Sequence, residues 1–229
     1  MRELTLIIPA KNESESLPLV LNELKKYKLK IIIILSGKDL ATINSVKKFN
    51  CKVIKIFNDS YGNAIKRGIY YCKTKYLCIF NADGSFDPKD LNKMLSVLVN
   101  NNSNFVFASR YKGLNSGSKD DTFLTFIGNK IFTFTCNLLF SLNLSDVLFT
   151  YVLGESAFFK KLKLESSNFS ICVEIPIKIK MLNYKMLSIP SFERKRLLGE
   201  KKVREFKDGL TILIYIIKLF FKKVYKGRI

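Results

Sequence analysis

The chain has 229 residues, 48% of them hydrophobic, with 39 Lys and Arg against 19 Asp and Glu, and so carries a formal charge of +20. That length and apolar content bury a full core in one elaborated domain or two small ones, which excludes a disordered chain as the default. Histidine is absent and the five cysteines form no C-x-x-C pair, so a zinc centre and a histidine general base are excluded from the candidate chemistries.

The excess of positive charge draws phosphate-rich partners: nucleic acid, nucleotide substrates or anionic lipid. A Lys-, Asn-, Ile- and Phe-rich composition with solvated surface lysines is the plainer explanation, and charge alone does not choose. No RNP-like aromatic motif, zinc finger or helix-turn-helix signature accompanies it, so nucleic acid is not an expected partner. Scattered Cys51, Cys72, Cys78, Cys136 and Cys172 suit a reducing compartment.

The N-terminal "MRELTLIIPA" reads as a first strand rather than a signal peptide, which predicts a cytoplasmic location. From there, short β-branched runs ("LTLIIP", "LKIIIIL", "CKVIKIF", "KYLCIF") alternate with amphipathic ones ("ESLPLVLNELKKY", "DLATINSVKKF", "YGNAIKRGIYYCK"). Strands that are apolar on every residue, separated by helical spacing, predict an α/β fold with a mostly parallel Rossmann-like sheet covered on both faces. In such sheets ligands sit beyond the carboxyl ends of the strands. Those ends fall at Pro9 to Glu13, at Ser36-Gly37 and at Asn81-Ala82-Asp83. Asp87, Pro88 and Asp90 read as N-cap, N1 and N3 of the next helix.

After the strand "NFVFASR" comes an aperiodic Gly/Ser/Lys loop, and the chain then changes character. "TFLTFIGNKIFTFTCNLLFSL" is a long apolar helix candidate interrupted by Asn129, Lys130 and Asn137, which favours packing or a membrane-facing position over spanning. A short strand near Tyr151 to Leu153, a helix around Glu174 to Leu182 and the strand "KMLSIPSF" follow. The basic segment "ERKRLLGEKKVREF" leads to the apolar run Leu210 to Phe221. At about 1.5 Å per residue that run reaches roughly 18 Å, short of the ~30 Å hydrocarbon core. It either packs on the domain or lies in a membrane interface with Lys222, Lys223, Lys226 and Arg228 on lipid head groups.

Four motifs in order resemble family 2 glycosyltransferases of the GT-A fold. "LIIPAKNESESL" is similar to their P-x-x-N-E opening, "FNADGSFDP" to D-A-D-x-x-x-D-P, and "ASRYKG" to the S-R-Y/F after the next strand. "ERKRLLGEKKVREFKDGL" resembles the R-x-x-G-x-S-K-x-x-x-F-x-D-G-L of the dolichol-phosphate mannose synthase branch. The resemblance implies a GT-A domain over 1–209, with a nucleotide-sugar half (1–110) and an acceptor half (111–209), followed by an apolar and basic C-terminal helix (210–229).

It further implies a nucleoside-diphosphate sugar donor, a polyprenyl phosphate or glycan acceptor, an anionic membrane surface, and Mg²⁺ or Mn²⁺ held by Asp83 with Ser85 and Asn81. Pro9, Lys11, Glu13, Ile34, Ser36, Asn81, Ala82 and Asp83 would contact the nucleotide sugar, and Arg110, Arg196 and Lys202 would face phosphates. Asp83, Arg110 and Glu174 are the expected catalytic residues, Glu174 being either a base or an acid that structures the acceptor loop. A polyprenyl phosphate arrives ionised and needs cationic clamping, whereas a sugar hydroxyl needs a positioned base. Leu35, Ser36 and Asn81 stand where the family carries acids, which also opens a non-catalytic, sugar-nucleotide-binding reading.

Overall fold

A computed structural model describes residues 1–58, 60–199 and 203–226, with the side chains of 225 and 226 excepted. In chain order the elements are β1 (Leu4–Pro9), α1 (Ser16–Leu24), β2 (Lys30–Ser36), α2 (Leu40–Ser45), β3 (Lys52–Ile56), α3 (Tyr61–Tyr71), β4 (Tyr76–Ile79) and α4 (Asp90–Asn100). There follow β5 (Phe105–Ser109), β6 (Gly117–Ser118), α5 (Phe123–Phe140), β7 (Val152–Glu155), α6 (Ser156–Lys161), α7 (Ile171–Met181), β8 (Met186–Pro190), β9 (Phe192–Glu193) and α8 (Glu205–Lys226).

The central sheet has seven strands in the order β3-β2-β1-β4-β7-β5-β8. All neighbours pair in parallel except β7, which runs antiparallel to both β4 and β5. The predicted mostly parallel α/β sheet is therefore what forms, and its apolar runs are explained by burial on both sides. Leu4, Leu6 and Ile8 of β1 enter one core with α1, α2 and α4, while Ile7 enters the other with α3, α7 and α8. Each fully buried Leu or Ile contributes about 1.5–3 kcal/mol of apolar transfer free energy. Gly68 lets α3 lie close on β1 and β2, since a Cβ there would come 2.3 Å from Ile7 Cγ2.

Three expectations shift. Helix α4 begins at Asp90 with Lys89 as its N-cap, and Asp87 instead caps the turn before it by accepting the Lys89 N–H at 2.9 Å. Pro88 thus lies in a turn that precedes the helix proper. Helix α7 begins at Ile171, ahead of Glu174, and carries Pro176 within it. Helix α8 begins at Glu205 and buries Ile212, Ile216 and Leu219 in the core, so the expected boundary at 209 falls inside a helix that packs on α5 and α7.

A second, two-stranded sheet pairs β6 with β9 in parallel. This small pairing brings residues 117–121 beside 192–196, and Lys119 N–H donates to the Glu193 carbonyl at 3.0 Å. It decides which charges meet at the site.

Candidate active site

The carboxyl ends of β1, β2, β4 and β5 open into a cavity of about 640 Å³, within the size range of small-molecule sites. Pro9, Lys11, Glu13, Ile34, Asn81, Ala82, Asp83, Ser85, Arg110 and Arg196 all line it, so ten of the expected residues come together. Ser36 is not part of the lining, and its neighbour Leu35 is. Ser36 Oγ instead accepts the Lys38 N–H at 3.3 Å. Lys202 lies outside the described residues.

The loop after β1 is tied to the start of α2. Asn12, in the left-handed region at φ 54°, donates its N–H to Asp39 at 2.8 Å, and Glu13 donates its N–H to Thr42 Oγ1 at 3.0 Å. The Ser16 hydroxyl donates to the Glu13 carboxylate. Asp39 also accepts the Thr42 N–H as the N-cap of α2, so one carboxylate fixes both loops.

Asp83 sits in a tight turn after β4. Ser85 donates both its N–H (3.0 Å) and its hydroxyl (2.7 Å) to Asp83 Oδ1, and the Asn81 amide donates to Ser85 Oγ at 3.2 Å. The Ser85 hydroxyl, expected as a metal ligand, is thus engaged on both sides and orients Asp83. Asp83 Oδ2 lies 3.9 Å from Arg196 Nη1. Gly84 is required here: its φ is +81°, and a Cβ would meet the Leu197 side chain at 2.6 Å. The segment after β9 closes over this turn, with Leu197 N–H on the Asp83 carbonyl and Arg194 N–H on the Ser85 carbonyl, both at 2.8 Å. The Arg194 side chain donates to the Gly84 and Phe86 carbonyls and forms a two-bond pair with Glu23.

The opposite wall departs from expectation. Arg110 was expected to face phosphate, but its guanidinium is buried among acids. Nε donates to Asp146 at 2.8 Å, Nη2 to Asp146 at 3.1 Å, and Nη1 to Asp121 and Glu193 at 3.1 Å each. Burial works against this charge, yet Asp146, Glu193 and Asp121 more than offset it and hold the pKa well above the ordinary arginine value. The Phe149 ring lies against it, 4.8 Å from ring centroid to guanidinium carbon. Burial raises the Glu193 carboxyl, against the pull of Arg110. Asp146 also accepts from Asn129 at 2.7 Å and from two backbone N–H groups, which explains the polar interruption of α5 at Asn129.

Glu174 does not reach the cavity. It is fully buried in α7, accepting the backbone N–H groups of Glu165 (2.7 Å) and Ser166 (2.8 Å) and pairing with Lys178 at 2.8 Å. That geometry suits the second of its two expected roles, shaping a loop, and gives it no access to a substrate proton.

Sequence reading passed over Asp120, Asp121 and Glu193. Asp120 holds Arg196 by two bonds, at 2.6 and 3.1 Å, and Tyr111 donates its hydroxyl to Asp121. Their signal was the pair Asp120-Asp121 at the end of an otherwise basic loop. Cys172 also lines the cavity, but burial pushes its thiol up to about 12, which leaves it protonated and unsuited to nucleophilic attack. Among the described residues no three His, Cys, Asp or Glu side chains gather as a metal-binding group.

The fold is similar to solved glycosyltransferase structures. Glucosyl-3-phosphoglycerate synthase from Mycobacterium tuberculosis, in complex with Mn²⁺, uridine diphosphate and glucosyl-3-phosphoglycerate, superposes with a TM-score of 0.72 at 12% identity, over 96% of this chain and 80% of that one. Mannosyl-3-phosphoglycerate synthase from Rubrobacter xylanophilus gives 0.70 at 13% identity, over 99% and 75%. At these identities the likeness establishes the GT-A fold alone.

Among curated proteins, an uncharacterized glycosyltransferase of M. tuberculosis is 32% identical over 95 residues, 41% of this chain and 43% of that protein. The dolichyl-phosphate beta-glucosyltransferase of Dictyostelium discoideum is 33% identical over 114 residues, 42% of this chain and 35% of its own. The matches span less than half the length of these two relatives. An uncharacterized protein of Methanocaldococcus jannaschii is 24% identical across 97% of this chain and 93% of its own. The model of the family "Glycosyl transferase family 2" matches residues 5–163, which takes in β1 through α6 and with them Asp83, Arg110 and Asp146. This chain belongs to glycosyl transferase family 2.

Proposed function

We propose that the chain transfers a sugar from a nucleoside-diphosphate sugar to a polyprenyl phosphate, with inversion at the anomeric carbon. One observation carries this reading: the carboxylates lining the cavity are already bound by protein donors. Glu13 accepts from Ser16, Asp83 from Ser85, Asp120 from Arg196, Asp121 from Arg110 and Tyr111, Glu193 from Arg110 and Ser118, and Asp208 from the Arg204 N–H. Carboxylates committed to protein donors in this way are held in place by the fold, which favours an acceptor that brings its own negative oxygen over a hydroxyl that needs a base. An acceptor phosphate needs no base.

In the proposed step an acceptor phosphate oxygen forms a bond to the anomeric carbon as the bond from that carbon to the diphosphate breaks. The electron pair leaves with the nucleoside diphosphate, and no proton has to move. Lys11 and Arg196 line the donor end of the cavity and Arg204 and Lys207 the end near α8. Preorganised cations of this kind stabilise developing negative charge at both ends of the displacement.

The donor set at Asp83 fits a hard divalent cation. A single carboxylate held on a Gly84 turn, with Asn81 beside it, suits Mg²⁺ or Mn²⁺, which take one or two protein carboxylates and complete their shell with water and substrate phosphate. When bound, such an ion neutralises the diphosphate leaving group. The chain's own contribution is the Ser85 and Asn81 hydrogen-bond relay that fixes Asp83. The likeness to the Dictyostelium dolichyl-phosphate beta-glucosyltransferase supports the lipid-phosphate acceptor.

Incubation with radiolabelled nucleoside-diphosphate sugars and either a polyprenyl phosphate or oligosaccharides tests the reading. Label entering the solvent-extractable lipid supports it. Label entering only water-soluble saccharide overturns the acceptor assignment, and no incorporation with intact donor binding favours a non-catalytic binding protein.

A further inference from the structure

Helices α5 and α8 run side by side in the same direction. Thr122 donates its hydroxyl to Glu205 at 3.3 Å at one end, and Phe140 meets Phe220 edge to face at the other. Large apolar side chains nevertheless face outward from both. On α5 a stripe of Phe123, Ile127, Ile131, Phe134 and Leu138 is exposed, with Leu124 and Phe126 beside it. On α8 the stripe is Phe206, Leu210, Ile214, Ile217 and Phe221. Each stripe follows the three-to-four-residue spacing of a single helix face. Carried on two neighbouring, parallel helices, these stripes make a broad apolar exposure of the kind that marks an interaction surface.

We infer that this paired face docks on an anionic lipid monolayer and sets the mouth of the cavity at the head-group plane. Three observations select lipid. Exposed Lys130, Lys218 and Lys223 flank the stripes, and no acidic residue occurs from Phe123 to Phe140 or from Gly209 to Lys226. Cationic flanks on an apolar face suit anionic head groups, whereas a second copy of a chain with charge +20 would be repelled. The inner side of α5 is committed to protein, with Asn129 on Asp146 and Thr133 on Asn129. That excludes α5 from being surrounded by lipid, although its 18 residues and mean hydropathy of 1.3 would suit a span.

The cavity opens between the same two helices. Thr125 and Asn129 of α5 and Lys207, Asp208 and Ile212 of α8 belong to its lining. Phe123 and Phe206, exposed by 80% and 82%, stand at that end of the face. A monolayer touching both presents its phosphates to Arg204 and Lys207. The inference deepens the polyprenyl-phosphate reading, but vesicle binding tests it without any sugar transfer.

The experiment is flotation of the full chain with vesicles of phosphatidylcholine alone or mixed with phosphatidylglycerol. The chain should float with the anionic vesicles, less so as salt rises. The double variant Ile131→Asp/Ile214→Asp should lower the bound fraction at least about tenfold. Ile131→Asp alone should lower it too, which an anchor confined to α8 does not predict. Circular dichroism and nucleoside-diphosphate binding serve as folding controls, since neither residue lines the cavity.

Flotation equal to wild type in the double variant overturns the inference. So does absence of binding to either vesicle, or a wild-type dimer that the double variant converts to monomer. Anionic-vesicle flotation combined with label on a soluble saccharide leaves the docking face standing and removes the lipid acceptor. Transfer to a short soluble prenyl phosphate without flotation does the reverse.

Discussion

The two walls of the cavity are assembled by different means. On the Asp83 wall the carboxylate itself is positioned locally, by Ser85 reaching back two residues, while the backbone of its turn is tied down by Arg194 and Leu197. On the Arg110 wall the charged side chains themselves are stitched from distant segments: Arg110 binds Asp146 and Glu193, which lie 36 and 83 residues further along, and Arg196 binds Asp120 from 76 residues away. A local wall places a reactive group with few partners and leaves it replaceable. A stitched wall makes each charge a structural member, so the same kind of substitution should damage chemistry on one side and folding on the other.

The sharpest test of that contrast is Asp83→Ala. It should reduce transfer by about 10³-fold or more, the equivalent of losing several kcal/mol of metal-assisted charge neutralisation, while the melting temperature stays near wild type. A calorimetric scan alongside the transfer assay reads both.

On the other wall, Asp146→Ala removes the two-bond partner of a buried arginine. Breaking a buried pair by removing one member costs about 3–5 kcal/mol, which at this chain length corresponds to a fall of roughly 10 °C in Tm. An unchanged Tm would erase the distinction between the walls.

Arg196→Ala sits where they meet, bound to Asp120 and 3.9 Å from Asp83. Its removal should lower kcat/KM by about 10²-fold, whereas Lys38→Ala, outside the cavity lining, should leave it near wild type. Steady-state kinetics at saturating metal separates the two.

The smallest effect concerns how α8 is fastened. Lys222 and Lys178 hydrogen-bond Glu165 and lower its pKa to about 2. A depressed acid contributes its stabilisation above its unfolded value of 4.5 and loses it as pH falls through the folded value. Because Glu165 is half exposed, the effect should stay under about 1 kcal/mol. Tm profiles of wild type and Glu165→Gln should therefore differ slightly at neutral pH and converge as pH falls from 4.5 toward 2.

These walls also differ in how far the sequence discloses them. The sheet, the strand ends and the Asp83 turn were legible because burial on both faces writes itself as unbroken apolar runs and because the residues of that turn are contiguous in sequence. Ten expected residues reach the cavity for that reason. Arg110 was found but its surroundings were misjudged, since nothing near it in sequence announces Asp146 or Glu193; the β6 and β9 pairing that brings Asp121 beside Glu193 involves two residues per strand. Glu174 was recognised as significant, yet only three-dimensional packing shows its oxygens taken up by Glu165, Ser166 and Lys178. The apolar run at the C-terminus was visible, but its packing beside α5 was not, because a helix face becomes a surface only once its neighbour is placed.

The most direct measurement of the central claim is a thermal-shift screen of nucleoside diphosphates with and without Mn²⁺, run on wild type and on Asp83→Ala. The account predicts that one nucleoside diphosphate stabilises the wild-type chain strongly only when Mn²⁺ is present, and that this metal-dependent increment vanishes in Asp83→Ala. An equal metal-dependent shift in both proteins would contradict the assignment of Asp83 and move the donor site elsewhere.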